Sequence, residues 1–266
     1  MNDLGLIDIG ANLTHPTLYN QLDVIVENII SSETKSVIIT SSCLKDTSLA
    51  LNIINKHPDI FYTTTGFHPH NAKDFNPSDI EIMNNHCKNK KIIAIGECGL
   101  DYYRKYSSIE EQILCFEKHL ILAMDNNMPI FLHERKAHLD FLPMLKKYKN
   151  KIDKAVVHCF TGEKNELKAY LDLDCYIGIT GWISDLERGK HLHELIKYIP
   201  EDKLMIETDS PYLTPKNLPF RHDGVNQPSY LNYVAETISE CLNNDIKLKN
   251  VNANTQVRCL KPEIHL

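Results

Sequence analysis

Apolar residues recur along the chain in short runs rather than in long stretches. Leu6-Ile7-Asp8-Ile9 comes first, and Ser36-Val37-Ile38-Ile39-Thr40, Phe61-Tyr62-Thr63-Thr64-Thr65 and Ile92-Ile93-Ala94-Ile95 follow. Then come Pro129-Ile130-Phe131-Leu132, Ala155-Val156-Val157, Tyr176-Ile177-Gly178-Ile179 and Lys203-Leu204-Met205-Ile206. These runs are rich in β-branched residues and lack strict alternation, the pattern of strands buried on both faces of a parallel sheet. Helix-length segments lie between them. In 112–127 the apolar positions Ile113, Phe116, Leu120, Ala123 and Met124 keep a helical spacing, and 186–199 and 230–242 behave similarly. Strands therefore recur about every 30 residues, and eight such βα units in roughly 250 residues match a (β/α)8 TIM-type barrel. A doubly wound open sheet is the competing arrangement, but no G-x-G-x-x-G follows the first run.

Composition narrows the class. The 266 residues are 42% hydrophobic and 24% charged, with a formal net charge of −6. That excludes a disordered chain and a protein that coats nucleic acid by charge alone. A polyanionic substrate must be held by a local site. No apolar run approaches the ~18 residues of a membrane span, so no membrane association is expected. No basic region followed by a long apolar stretch opens the chain, so a signal peptide is not expected and the cytoplasm is the expected compartment. The 8 cysteines form no C-x-x-C pair. That removes zinc ribbons and thioredoxin-like chemistry and leaves buried reduced thiols as their reading. No Gly/Ser- or Pro-rich linker divides the chain, so 1–266 is read as a single domain, with the polar tail from Asn250 as a closing segment.

The chemistry gathers where strand runs end. Asp8 lies in the first, His68 and His70 follow the third, and Glu97 and Asp101 follow the fourth. The fifth ends in His133-Glu134-Arg135, the sixth in His158, and the eighth in Glu207-Thr208-Asp209. In a (β/α)8 barrel every strand C-terminus faces one rim, which carries the active site. Residues far apart in sequence would converge there, and they are imidazoles and carboxylates. Each histidine alone would be unremarkable as a core residue. Together they point to a catalytic divalent metal.

The strings Gly66-Phe67-His68-Pro69-His70, Ile95-Gly96-Glu97-Cys98-Gly99-Leu100-Asp101, His133-Glu134-Arg135-Lys136-Ala137, His158-Cys159-Phe160-Thr161-Gly162 and Glu207-Thr208-Asp209-Ser210-Pro211-Tyr212-Leu213 resemble, in order, the motif series of the TatD family of metal-dependent nucleases. The resemblance implies an amidohydrolase-like (β/α)8 barrel that hydrolyses phosphodiesters with a divalent metal. Many relatives carry D-x-H-x-H on the first strand, whereas Gly10 and Asn12 stand at those histidine positions here. Asp8-Ile9-Gly10-Ala11-Asn12-Leu13 resembles the branch with 3′–5′ exonuclease activity on single-stranded DNA and RNA, and the missing histidine pair puts a strongly held second metal in doubt.

Carried over position by position, the resemblance makes Glu97, His133 and His158 metal ligands. Asp209 becomes general base and weak metal contact, and His68 a catalytic group at a phosphate oxygen or leaving group. His70, Arg135, Arg104 and Arg221 become substrate-binding residues, with Tyr102 and Tyr103 either stacking a base or packing at the rim. Asp8 would orient a ligand or hold a weak second ion, and Glu207 would be a supporting carboxylate. Mg²⁺ is the metal the resemblance favours, while imidazole ligands suit Mn²⁺ or Zn²⁺ better. A monomeric cytoplasmic exonuclease of DNA repair or turnover is thus expected, on single-stranded DNA or RNA. A metal-dependent deacylase of aminoacyl-tRNA is the alternative.

Overall fold

The computed structural model describes residues 5–242. The tail from Asn250, with Arg258 and Cys259, lies outside the described residues. The strands are β1 (Leu6–Ala11), β2 (Thr34–Ile39), β3 (Phe61–Thr65), β4 (Ile92–Asp101), β5 (Ile130–Arg135), β6 (Ala155–Val157), β7 (Tyr176–Ile179) and β8 (Leu204–Ile206). The helices are α1 (Pro16–Tyr19), α2 (Leu22–Ile30), α3 (Leu44–Lys56), α4 (Asp79–His86), α5 (Ile109–Asp125), α6 (His138–Lys149), α7 (Lys164–Asp172), α8 (Leu192–Leu195) and α9 (Leu231–Leu242). The strands form one 8-stranded sheet ordered β1 to β8. The fold class is the expected (β/α)8 TIM-type barrel.

The chain divides by packing into two compact units. The first holds the chain up to Ile39, Cys159–Thr161 and the chain from Ile177. Within it β1 pairs parallel to β2, with Asp8 opposite Val37, and β7 pairs parallel to β8. The segment after β8 lies along β1: the Asp209 amide donates to the Gly10 carbonyl at 2.8 Å, and the Asn12 amide to the Ser210 carbonyl at 2.7 Å. All of β1 is buried, and α9 buries Leu231, Val234, Ala235 and Ile238, the i, i+3, i+4, i+7 stripe of an amphipathic helix.

The second unit spans Thr40–His158 and Gly162–Tyr176. It contains β3 to β6, paired parallel in sequence order. Helix α5 begins at a reciprocal capping box between Ser108 and Glu111, so it starts three residues before the apolar periodicity does. Its apolar face carries Phe116, which stacks on Phe141 of α6 with ring centroids 5.1 Å apart. No disulfide joins the seven described cysteines to one another. Among the described residues no helix is long and apolar enough to cross a membrane.

Two elements differ from their sequence expectation. The 186–199 segment is not one helix: only Leu192–Leu195 is α-helical, followed by a 3-10 turn. Asp185 Oδ1 accepts from the Glu187 and Arg188 amides at 3.1 Å and closes a turn, and Gly189, set against the Trp182 carbonyl, disfavours continuing that turn as a helix. Conversely, β4 does not stop at Ile95 but runs on to Asp101, all of it buried. Glycine permits this extension. Gly99 sits at φ 145°, and a Cβ there would collide with the His133 carbonyl oxygen, so β4 can lie against β5 only where the side chain is absent. The pairing register shifts between Ile95 and Cys98, as at a bulge.

Candidate metal centre

In the second unit the C-terminal ends of β3 to β6 deliver the imidazoles and carboxylates. His68 caps the 3-10 turn that follows β3, its Nδ1 accepting from the His70 amide at 3.0 Å. Glu97 lies within β4 after a cis Gly96–Glu97 peptide, its amide donating to the Ser41 carbonyl at 3.0 Å. His133 is on β5. His158 directly follows β6, its amide donating to the Leu132 carbonyl at 3.0 Å.

Four side-chain atoms of these residues meet. Glu97 Oε1 lies 2.7 Å from His158 Nε2, 2.8 Å from His133 Nδ1 and 3.3 Å from His68 Nε2. His133 Nδ1 is 3.3 Å from His68 Nε2 and 3.4 Å from His158 Nε2. Imidazole nitrogens at such separations point lone pairs or protons at one another, and one carboxylate oxygen cannot satisfy all three. A shared cation resolves the conflict. Ligands about 2.1 Å from a divalent ion stand about 3.0–3.4 Å apart, close to the spacing here. The donor set fits a divalent metal, and His68, Glu97 and His133 form one of two groups of potential metal-binding residues among the described residues.

The electrostatics agree with that reading. Burial alone would raise the Glu97 carboxyl, but the imidazoles of His158 and His68 and hydrogen bonds from His133 and His158 hold it well below its ordinary value. Burial pulls His68 down to about 4, only partly opposed by Glu97. Burial likewise disfavours the charged form of His133, yet Asp101 and Glu97 raise it on balance. One carboxylate thus stays ionised, beside an imidazole kept neutral and ready to offer a lone pair.

Of the residues expected to bind substrate, His70 adjoins this cluster. The His70 ring packs edge-on against His68, with centroids 4.2 Å apart, and its Nε2 bonds Asp101 Oδ2 at 2.7 Å. The Arg135 guanidinium lies 4.1 Å from the centroid of the Tyr103 ring, with Arg104 at 5.7 Å from the same ring. Tyr103 is 57% exposed, whereas Tyr102 bonds Asp140 through its hydroxyl at 2.9 Å.

The other carboxylates belong to the first unit. Asp8 is fully buried, accepting from the Thr208 amide at 2.9 Å and hydroxyl at 2.5 Å and from the Gly10 amide at 3.2 Å. Burial raises its carboxyl to about 8 despite those donors, with a further push from Glu207. Asp209 Oδ1 accepts from Asn12 Nδ2 at 3.0 Å, so Asn12 serves as a carboxylate partner. Glu207 is fully buried and accepts from the Cys159 amide at 2.5 Å. Arg221 is exposed. Asn226, by contrast, is buried and ties the last loop together through the Thr208 and Tyr212 carbonyls at 2.9 and 2.7 Å. Left-handed backbone recurs where the chain leaves a strand end: Lys136 at φ 57°, Cys159 at 46° and Asp209 at 52°. Such conformations in non-glycine residues persist where surrounding structure holds them, often at functional sites.

Two residues near the cluster were given no role by sequence reasoning. Asp101 stands in a recognised motif string, but nothing in the string distinguishes its task from that of Glu97. His119, on α5, reads as part of an apolar helix face. It is fully buried, donates from Nδ1 to the Cys115 carbonyl at 2.7 Å and accepts the Phe67 amide on Nε2 at 2.9 Å, beside His68 in the chain.

A parallel (β/α)8 sheet with a histidine–carboxylate donor set at its strand ends is the arrangement of a metal-dependent hydrolase fold. A family model described as TatD related DNase matches residues 7–258. A 3′-5′ ssDNA/RNA exonuclease TatD from Edwardsiella piscicida is 37% identical over 251 residues, 94% of this chain and 96% of its own. Among solved structures, a TatD family hydrolase from Entamoeba histolytica superimposes with TM-score 0.88 at 28% identity, covering 97% of this chain and 98% of that one. A TatD homologue from Escherichia coli K12 gives TM-score 0.86 over 98% of this chain and 99% of that one. At 20% identity it speaks for the fold alone. The chain belongs to the TatD related DNase family and is a hydrolytic nuclease.

Proposed function

We propose that this nuclease is a metal-dependent 3′–5′ exonuclease on single-stranded DNA and RNA. The observation that carries the metal dependence is the meeting of His68 Nε2, Glu97 Oε1, His133 Nδ1 and His158 Nε2 within hydrogen-bond distance of Glu97 or of one another. Substrate and polarity rest on the curated relatives, which bear that activity in their names and match most of the chain.

In this reading Glu97, His133 and His158 hold the ion, with His68 beside them. A bound divalent ion would withdraw charge from a phosphate oxygen and acidify an adjacent water. The protein's own groups do the rest. Asp209, oriented by Asn12, takes the proton of the attacking water. Water attacks phosphorus, the 3′ oxygen of the neighbouring nucleotide leaves, and a 5′-mononucleotide is released. His68 and His70 serve the phosphate and the leaving oxygen. Arg135 and Arg104 hold backbone phosphate while Tyr103 offers a ring to a base, and Arg221 adds a contact from the last loop. The metal is Mg²⁺ in this reading, with Mn²⁺ or Zn²⁺ accepted by the imidazoles. The setting is a cytoplasmic monomer in DNA repair or turnover, in keeping with the lack of disulfides among the described cysteines.

The test is digestion of end-labelled single-stranded DNA and RNA by metal-stripped protein, with Mg²⁺ or Mn²⁺ restored and Glu97→Ala in parallel. Stepwise shortening from the 3′ end that needs metal and Glu97 is expected. Shortening from the 5′ end, or full activity in chelator, refutes the assignment.

A further inference from the structure

Asp101 occupies an unusual place. It is fully buried, yet it belongs to none of the donor atoms that meet at Glu97. Its Oδ2 lies 2.7 Å from His70 Nε2 and 3.5 Å from His133 Nε2. His133 Nε2 is buried and makes no hydrogen bond, while the opposite ring nitrogen, Nδ1, is the one that faces Glu97. A ring nitrogen aimed at a carboxylate, with its partner nitrogen in a donor cluster, is how a metal-binding histidine is oriented and its tautomer selected.

The carboxylate itself is held rigidly. Its Oδ1 accepts from the Tyr103 and Arg104 amides at 2.8 and 2.9 Å. Its backbone is bracketed by the buried Gln112 side chain: the Asp101 amide donates to Gln112 Oε1 at 2.8 Å, and Gln112 Nε2 donates to the Asp101 carbonyl at 3.2 Å and the Ser107 carbonyl at 3.0 Å. Ser107 in turn donates to the His70 carbonyl at 3.0 Å. The same carboxylate therefore touches one ring of the donor cluster, one ring beside it, and the loop that carries Tyr103 and Arg104.

We propose that Asp101 is the positioning residue of this centre: it accepts the Nε2 protons of both His133 and His70, so that His133 presents Nδ1 to the ion and His70 keeps its ring fixed beside His68. This rests on the reading of the cluster as a metal centre. Removing the carboxylate frees His133 to flip or to protonate on Nδ1, and either outcome competes with metal.

The experiment is calorimetric titration of Mn²⁺ into the metal-stripped wild type, Asp101→Asn and Asp101→Ala, with circular dichroism to establish folding. Nitrogen-15 imidazole spectra of the Zn²⁺-saturated wild type accompany it. Asp101→Ala should weaken Mn²⁺ by about 10- to 100-fold. Asp101→Asn should fall between, since a neutral amide oxygen accepts more weakly. The wild-type spectra should show His133 and His70 both protonated on Nε2. A folded Asp101→Ala protein with Mn²⁺ affinity within twofold of wild type overturns the proposal. So does His133 protonated on Nδ1 in the Zn²⁺-saturated wild type, a result that stands even where the alanine variant fails to fold. A wild type that binds no Mn²⁺ overturns the metal reading itself, which separates the two failures.

Discussion

Glu97 and Asp8 are both buried carboxylates on parallel strands of the same sheet, and their surroundings set them in opposite directions. Glu97 is ringed by His68, His133 and His158, and those imidazoles hold it ionised against its burial. Asp8 has only the Thr208 hydroxyl and two amides as donors, with Glu207 adding repulsion, and burial wins, raising it to about 8. Strand position therefore does not decide whether a carboxylate is charged. The decision rests with whether its partners can carry positive charge or merely donate hydrogen bonds. The first arrangement suits a group that must meet a cation. The second suits a carboxyl that fixes the path of the chain after β8.

The sharpest way to break this comparison is to neutralise each carboxylate. Glu97→Gln should abolish Mn²⁺ binding and lower nuclease activity by at least about 10³-fold, roughly 4 kcal/mol of transition-state stabilisation. Asp8→Asn should leave Mn²⁺ binding to the Glu97 cluster intact, as read by calorimetry. Equal loss of Mn²⁺ binding in both variants would erase the distinction.

Stability against pH in metal-free protein sharpens it further. A carboxyl raised to about 8 favours the folded state while protonated, so its contribution is fully present below about pH 4 and is lost as pH rises to about 8, by up to about 6 kcal/mol. Glu97, held below its ordinary value, does the reverse: its contribution is present above about pH 4.5 and is lost as pH falls. Urea unfolding across pH 2–9 should therefore show Asp8→Asn removing a falling slope and Glu97→Gln removing a rising one at the acid end. Slopes of the same sign would contradict the assignment.

Next in size is Gly99→Ala. At φ 145° with the His133 carbonyl in the way, the added methyl group should cost about 3 kcal/mol, lowering the urea midpoint and loosening Mn²⁺ binding together. Ala at an open position of the first unit, Gly224, should not affect Mn²⁺ binding, because a Cβ there meets nothing within 4 Å, although its φ of 90° still carries some backbone cost. The smallest effect expected is that of Arg135→Lys. The ammonium keeps the charge but loses the planar contact with Tyr103, so KM for single-stranded DNA should rise about 2- to 5-fold with kcat little changed. A collapse of kcat instead would move Arg135 from holding substrate to the chemistry.

Much of this was legible along the chain. The β-branched runs mark every strand because a sheet buried on both faces needs apolar residues on both, and that signal is local. The donor residues were legible for a related reason: His68, Glu97, His133 and His158 stand where those runs stop, and a parallel sheet turns sequence endings into spatial neighbours. The 186–199 segment shows the limit, since its apolar spacing suited a helix while the Asp185 side chain capped a turn. The extension of β4 was equally hidden, because Gly96 and Gly99 read as strand breakers until β5 lies against them.

What the order of residues could not reveal is what each titratable group faces. Glu97, Asp101 and Asp8 are carboxylates in similar apolar strings, and no spacing rule separates them. Their tasks differ because residues 29 to 200 positions away bring imidazoles to Glu97, two imidazole Nε2 atoms to Asp101 and a threonine hydroxyl to Asp8. Side-chain type and strand position are properties of the chain. Charge state, ring orientation and ligand geometry are properties of neighbours, and in a buried site, where water cannot substitute for them, neighbours alone set the energy of each state.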